Sequence, residues 1–191
     1  MSRLIERIIQ DHEHIARLLD CLDYEVAGYR EGADYSPKLP IIQDALDYLY
    51  NYCDVFHHPL ESRLMARLRP KLKEVEHRVN FELIEEQHKQ IRDLSGKLLE
   101  SFNRISFDQV IPINLLLSEY QLYSKLQRSH MRAEQNYMIP AMQTYLTGED
   151  LLSVEEEIRA HPDPLFGAHI WEAYEDLYQH ILKYARVVEP A

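Results

Sequence analysis

The 191-residue sequence is poor in cysteine, glycine and basic charge, and each shortage removes a class of protein. Two isolated cysteines, Cys21 and Cys53, form neither a disulfide framework nor a Cys-x-x-Cys pair, and the opening Met-Ser-Arg-Leu-Ile-Glu-Arg lacks the apolar core of a signal peptide. Both features point to a reducing, cytoplasmic setting. Five glycines and nine prolines are too few for a many-stranded sandwich or barrel, whose turns need them about every 8–12 residues, so an all-α chain is expected. Lysine and arginine number 21 against 32 aspartates and glutamates, and the net charge of −11, with no basic block, excludes nucleic acid and anionic membrane as main partners. The longest uncharged stretch, 14 residues from Gln135 to Gly148, is short of the roughly 20 apolar residues a spanning helix needs. No repeat of solenoid length is present. The unusual presence is ten histidines.

Apolar residues recur at helical spacing in four segments. The first runs from about Arg3 to Tyr29, with Ile5, Ile8, Ile15, Leu19, Leu22 and Val26 on its stripe, and Gly28–Pro37 breaks it. The second opens near Leu39–Pro40, where proline suits a first helical turn, and ends at Pro70. The third carries Phe81, Ile84, Ile91, Leu98, Phe102 and Ile105; the fourth opens near Pro112, carries Leu116, Tyr120, Tyr123, Tyr137, Ala141 and Tyr145, and stops at Gly148. Four such helices on short connections predict an up-down-up-down four-helix bundle over residues 1–147. Residues 148–191 then form a C-terminal helical extension, packed on the bundle or at a homodimer interface. It comprises a capping-box start at Ser153 and Glu156, a breaker at His161–Pro164 and a last helix from about Phe166 to Val187.

In each bundle helix the apolar stripe is interrupted by one histidine: His12, His57, His88 and His130. A single such residue is ordinarily satisfied by a carbonyl; one per helix is a pattern. Two of them begin the same spacing, His57-His58-Pro59-Leu60-Glu61 and His130-Met131-Arg132-Ala133-Glu134. Residues four apart stand one above the other, about 6 Å along the axis, so each pair aims an imidazole and a carboxylate at one spot. Nitrogen plus carboxylate is a ligand set that iron, zinc, manganese or copper accepts. The heights agree: His12 lies 17 residues before Tyr29 and His57 lies 18 after Leu39, while His88 lies 17 before Ile105 and His130 lies 18 after Pro112. Two carboxylates buried in that layer without partners would destabilise the core, and cations remove the cost. Four imidazoles and two carboxylates are too many for one tetrahedral zinc but suit two metals sharing the carboxylates.

The segments Gln10–Leu19, His57–Glu61, Glu85–His88 and His130–Glu134 together resemble the four ligand helices of hemerythrin-like proteins, the HHE cation-binding domains, over about residues 3–146. The resemblance implies a four-helix bundle around two iron ions, a non-haem di-iron centre bridged by two carboxylates and a solvent-derived oxide or hydroxide. By the same resemblance His12 and His57 bind one iron, His88 and His130 the other, Glu61 and Glu134 bridge them, and the ligand is a small diatomic molecule or peroxide. Oxygen-carrying members have a further histidine one turn before the position of His88, and here that position is Ile84. Glu85 is the nearest side chain that could replace it, and an open site that reacts with oxygen is the expectation. Glu85-x-x-His88 is also ferritin-like spacing, which keeps an iron-handling oxidase as an alternative, with a metal-free helical interaction module as the other.

The remaining candidates read as ordinary. His14, about 160° around the helix from His12, and His58, next to His57, are expected on the surface or behind the ligands. His77, His161, His169 and His180 fall outside the layer. Tyr120, Tyr123 and Tyr137 flank it, Cys53 lies one turn above His57, and Pro59 should kink its helix beside the ligands.

Overall fold

The structure, a computed structural model, describes residues 2–72, 75–158, 163–166, 170 and 172–188, with the side chains of 75–79 and 184–188 left aside. The His77 side chain, His161 and His169 therefore lie outside the described residues. Among these residues every regular element is helical. The first helix, α1, spans Arg3–Ala27, and α2 spans Leu39–Tyr48 with Pro40 in its first turn. A wider π-helical stretch, Leu49–His57, carries α2 into α3, His58–Leu68, and a short 3-10 turn at Arg69–Lys71 contains Pro70. After α4, Val75–Ser106, the chain turns through Asp108, whose φ of 55° places it in the left-handed region where short polar side chains are tolerated at a helix end. The next helix, α5, spans Ile113–Ala133; a second π stretch, Glu134–Met138, leads into α6, Ile139–Tyr145.

Both π stretches end just before a proline, Pro59 and Pro140, each near the start of the following α segment. Proline cannot donate to the carbonyl one turn back, and its ring pushes that carbonyl aside, so the preceding turn widens. The extra residue shifts the buried stripe. Beyond Glu134 it is Met138 and Met142 that are buried, while Tyr137 and Tyr145, which uninterrupted spacing places on the stripe, are 43% and 42% exposed.

Helix α1 packs on α2 and α5, and α4 packs on α2, α3 and α5. The apolar interior falls into two clusters. One contains Ile15, Leu19, Leu22, Leu46, Cys53, Ile91 and Tyr123; the other contains Ile5, Ile8, Leu60, Leu64, Ile84 and Met138. Each main helix changes cluster around its histidine: His12 lies between Ile8 and Ile15, His57 between Cys53 and Leu60, His88 between Ile84 and Ile91, and His130 between Tyr123 and Met138.

The C-terminal segments follow different boundaries from those expected. Helix α7 spans Gly148–Ile158, so Gly148 opens a helix. Its cap is Thr147: the Thr147 N–H and hydroxyl donate to Asp150 at 2.7 and 2.6 Å, and the Asp150 N–H donates back at 3.3 Å. Ser153 lies inside α7 and accepts from Arg67 at 3.0 Å, not from a helix start of its own. Helix α8, Glu175–Val188, begins nine residues later than Phe166, after a 3-10 turn at Glu172–Tyr174. Helix α7 lies on α3, and α8 lies on α1 and α2 with Leu177 and Ile181 in the first apolar cluster. The Tyr48 hydroxyl donates to Asp163 at 3.0 Å, Tyr174 to Asp47 at 2.7 Å, and His180 pairs with Glu25 at 2.7 Å.

Candidate metal centre

The six residues singled out by spacing meet in one layer between the two apolar clusters. Nε2 of His12 is 3.3 Å from Glu61 and 3.1 Å from Glu134; Nε2 of His88 is 3.3 and 3.4 Å from the same two carboxylates. His57 lies 3.3 Å from Glu61 and His130 lies 3.2 Å from Glu134, each pair built by the four-residue spacing across a π boundary. Glu61 and Glu134 are 0% exposed. Several of these close atoms nonetheless lack hydrogen-bond geometry: Glu61 Oε2, both Glu134 oxygens, and Nε2 of His88 and His130. Buried polar atoms rarely stay unpaired in native interiors, so lone pairs that converge without bonding one another fit a cation between them.

His58, expected on the surface or behind the ligands, is buried and lies among the candidate donors. It is 4% exposed, stacks on His88 with ring centroids 4.5 Å apart, and lies edge-on to His130 at 5.3 Å. The reason is the corner position of its helix. Successive helical residues project about 100° apart, and the helix carrying His57 and His58 contacts both α1 and α4, so one imidazole faces each neighbour. His57 accordingly meets His12, centroids 5.2 Å apart, and His58 meets His88. Two donor groups result, each with its atoms within 4.8 Å: His12, His57 and Glu61, and His58, Glu61, His88 and His130. Glu61 belongs to both, and Glu134 touches histidines of both.

His58 thus occupies the side of the layer left without an imidazole by Ile84, which is 0% exposed and packs in the second apolar cluster. Glu85 does not substitute: its carboxylate accepts from Arg69 at 2.7 Å, away from the layer. His14 stays outside, stacked on Phe166 at 4.2 Å. Of the tyrosines, Tyr120 donates to Asp23 at 2.6 Å and Tyr137 is exposed; Tyr123 is fully buried and its hydroxyl has no partner among the described residues.

Two aspartates complete the arrangement. Asp11 lies 3.0 Å from Nδ1 of His57, and Asp54 lies 3.0 Å from Nδ1 of His58 while accepting from the Ser95 hydroxyl at 2.5 Å. A carboxylate on Nδ1 fixes the tautomer that leaves Nε2 free to ligate, and raises its basicity. Asp54 and His58 are themselves four apart, which was the available signal. Asp54→Asn should therefore weaken retention of one metal ion about 10–100-fold without removing a ligand, measured by competition with a chromophoric chelator; unchanged affinity would leave Asp54 a packing residue.

In the metal-free layer burial and close ionisable neighbours act against one another. Burial alone would lower the His12 imidazole, yet Glu134 and Glu61 raise it to about 10; His88, with the same opposition, rises to about 9. Burial also lowers His57, but Glu61 and Asp11 raise it overall. In His130 burial prevails, with the neighbouring His88 and His58 adding to it, and the group falls to about 3; His58 is lowered for the same first reason, against the pull of Asp54. Burial and Glu61 would raise Glu134, but His130, His12 and His88 bring it to about 2, and Glu61 is likewise held well below the usual carboxylate range by His57, His12 and His88 against burial. The two buried carboxylates thus favour protonation of His12, His88 and His57 in the metal-free layer.

A buried layer of imidazoles and shared carboxylates inside an all-helical chain defines a metal-binding helical protein. The family profile of the hemerythrin HHE cation binding domain matches residues 3–142, and the chain belongs to that family. Comparisons with curated proteins and with solved structures gave no match.

Proposed function

We propose that this chain holds two non-haem iron ions in the His/Glu layer and uses them to bind or react with oxygen, nitric oxide or peroxide, or to report iron itself. The observation that carries the reading is the sharing of carboxylates: Glu61 belongs to both donor groups, and Glu134 lies against His12 on one side and His88 and His130 on the other. His12 and His57 would hold one ion, His58, His88 and His130 the other, with Glu61 and Glu134 between them. The pair, when bound, supplies a redox centre able to exchange two electrons with a small ligand. The chain itself orients the imidazoles through Asp11 and Asp54, walls the layer with Ile15, Leu60 and Ile84 against bulk water, and holds the Tyr123 hydroxyl, without a partner among the described residues, in the adjoining apolar cluster. The group with two histidines is the one left with more room for an exogenous ligand. A ferritin-like site needs more glutamate, and Glu85 is engaged elsewhere; a metal-free module would carry the unpartnered buried atoms of the layer as pure cost.

The same reading takes residues 1–147 as an up-down-up-down bundle, supported by the order of helix contacts, and 148–191 as an extension seated on it, supported by Leu177, Ile181 and Val154 in the apolar clusters. No helix among the described residues is long and apolar enough to cross a membrane. A cytoplasmic setting, with no nucleic-acid or membrane partner, accords with that and with the net charge of −11.

Iron-loaded, reduced protein mixed with oxygen, peroxide or nitric oxide in a stopped-flow spectrometer should change its near-ultraviolet absorption within seconds to minutes for at least one of the three, and indifference to all would refute a reactive site. His58→Leu should weaken one of the two irons at least tenfold, and Ile84→His added to it should restore part of the loss. No loss in His58→Leu would return the vacancy to position 84.

A further inference from the structure

We propose that the groove between α1 and α5 is a binding site for a small organic carboxylate, whose oxygen accepts a hydrogen bond from His12 and whose charge pairs with Arg132. The proposal rests on the reading of His12 as a metal ligand. The groove is a cavity of about 480 Å³ lined by Ile9, His12 and Ala16 on α1 and by Arg128, Met131 and Arg132 on α5. A water or diatomic ligand needs roughly 30 Å³, whereas small-molecule sites run from about 300 to 1,000 Å³. The space is therefore scaled to an organic molecule.

Its chemistry follows from one buried unpartnered nitrogen and one exposed cation. Nε2 of His12 faces Glu61 and Glu134, so when that nitrogen ligates, the ring proton must sit on Nδ1. Nδ1 of His57 and of His58 each have an aspartate; Nδ1 of His12 is buried and has no partner among the described residues, and His12 is 5% exposed. His12 lines the groove wall, and although its Nδ1 is closed to solvent in this structure, an oxygen acceptor entering from the groove with a small shift of the wall would satisfy it. At the mouth, Arg128 is committed to Asp20 and Asp23 at 2.7 Å each, while Arg132, one turn on, is exposed and has no partner among the described residues. Glu13 also lines the mouth, and its negative charge disfavours a dianion there more than a monoanion. The apolar surface of Ile9, Ala16 and Met131 accepts a short alkyl or ring body. A carboxylate in this place does for His12 what Asp11 does for His57, and its occupancy would tighten metal retention.

The test is calorimetric titration of the protein as purified with acetate, butyrate, hexanoate and inorganic phosphate, with iron measured on the same sample. Hexanoate should bind at one site at least tenfold more tightly than acetate or phosphate. Arg132→Gln should weaken it at least tenfold, Ala16→Trp should abolish it by filling the groove, and saturating hexanoate should slow iron loss to a chelator several-fold. Absence of saturable binding, or phosphate and hexanoate binding alike and undisturbed by Ala16→Trp, overturns the proposal. Hexanoate binding with both variant effects in a protein that holds no iron would sustain the groove and refute the metal reading; two irons with no carboxylate binding would do the reverse.

Discussion

Replacing Glu61 by alanine should empty both metal positions at once, and Glu134→Ala should do the same. Each carboxylate lies within 3.4 Å of histidines from both donor groups, so neither loss can be confined to one ion. The variants should also melt lower without metal, because His12 and His88, whose protonated forms both carboxylates favour, would each keep one carboxylate partner in place of two. Breaking one partner of a buried charge pair costs about 3–5 kcal/mol, against a total stability of about 5–15 kcal/mol for an ordinary domain. Glu61→Gln and Glu134→Gln keep the volume and remove only the charge. Metal analysis should give less than about 0.2 iron per chain in all four variants, and retention of one full iron in any of them would show that the carboxylate does not serve both ions.

Metal should stabilise the protein strongly at alkaline pH and progressively less toward acid, while the metal-free protein follows a different course. In the metal-free layer His12 and His88 titrate at about 10 and about 9, above the unfolded value. Their stabilising contribution is complete below about pH 6.5 and is lost as the pH rises through 9–10. His130 titrates at about 3, below the unfolded value, so its contribution is present above about pH 6.5 and declines as the pH falls toward 3. The metal-free protein should therefore be most stable near pH 6.5. Ligating imidazoles must be unprotonated, so between pH 7 and 8.5 loading both ions displaces about two protons, from His12 and His88, and the overall binding constant should rise by about two powers of ten per pH unit. His57, also raised, adds to the proton count. Thermal melts of loaded and metal-free protein at pH 5.5, 7 and 8.5 should show the gap widening with pH. An equal gap throughout would mean that metal does not compete with protons for these imidazoles.

Much of this arrangement is legible in the sequence because helical spacing carries it. An apolar stripe interrupted once per helix by histidine locates the layer, and the two four-residue His-to-Glu spacings locate its carboxylates. What the spacing hides has local causes. The π stretch at Glu134–Met138 follows from Pro140 and moves the buried stripe from Tyr137 to Met138, a shift that an ideal repeat cannot anticipate. A one-sided helical stripe does not reveal His58, because its helix sits at a corner and has two inward faces. Asp11 and Asp54 look like ordinary surface charges until their Nδ1 partners are placed. Thr147 and Asp150 form a capping box as plain as the one expected at Ser153 and Glu156, and only the contact of α7 with α3 decides between them. Ile84 supplies no imidazole, and His58 brings one to the donor group that contains His88.

Iron per chain, measured by elemental analysis of protein purified without added metal, tests the two-ion reading most directly. The shared carboxylates and the two donor groups predict about two irons per chain; a value near zero or near one would contradict it.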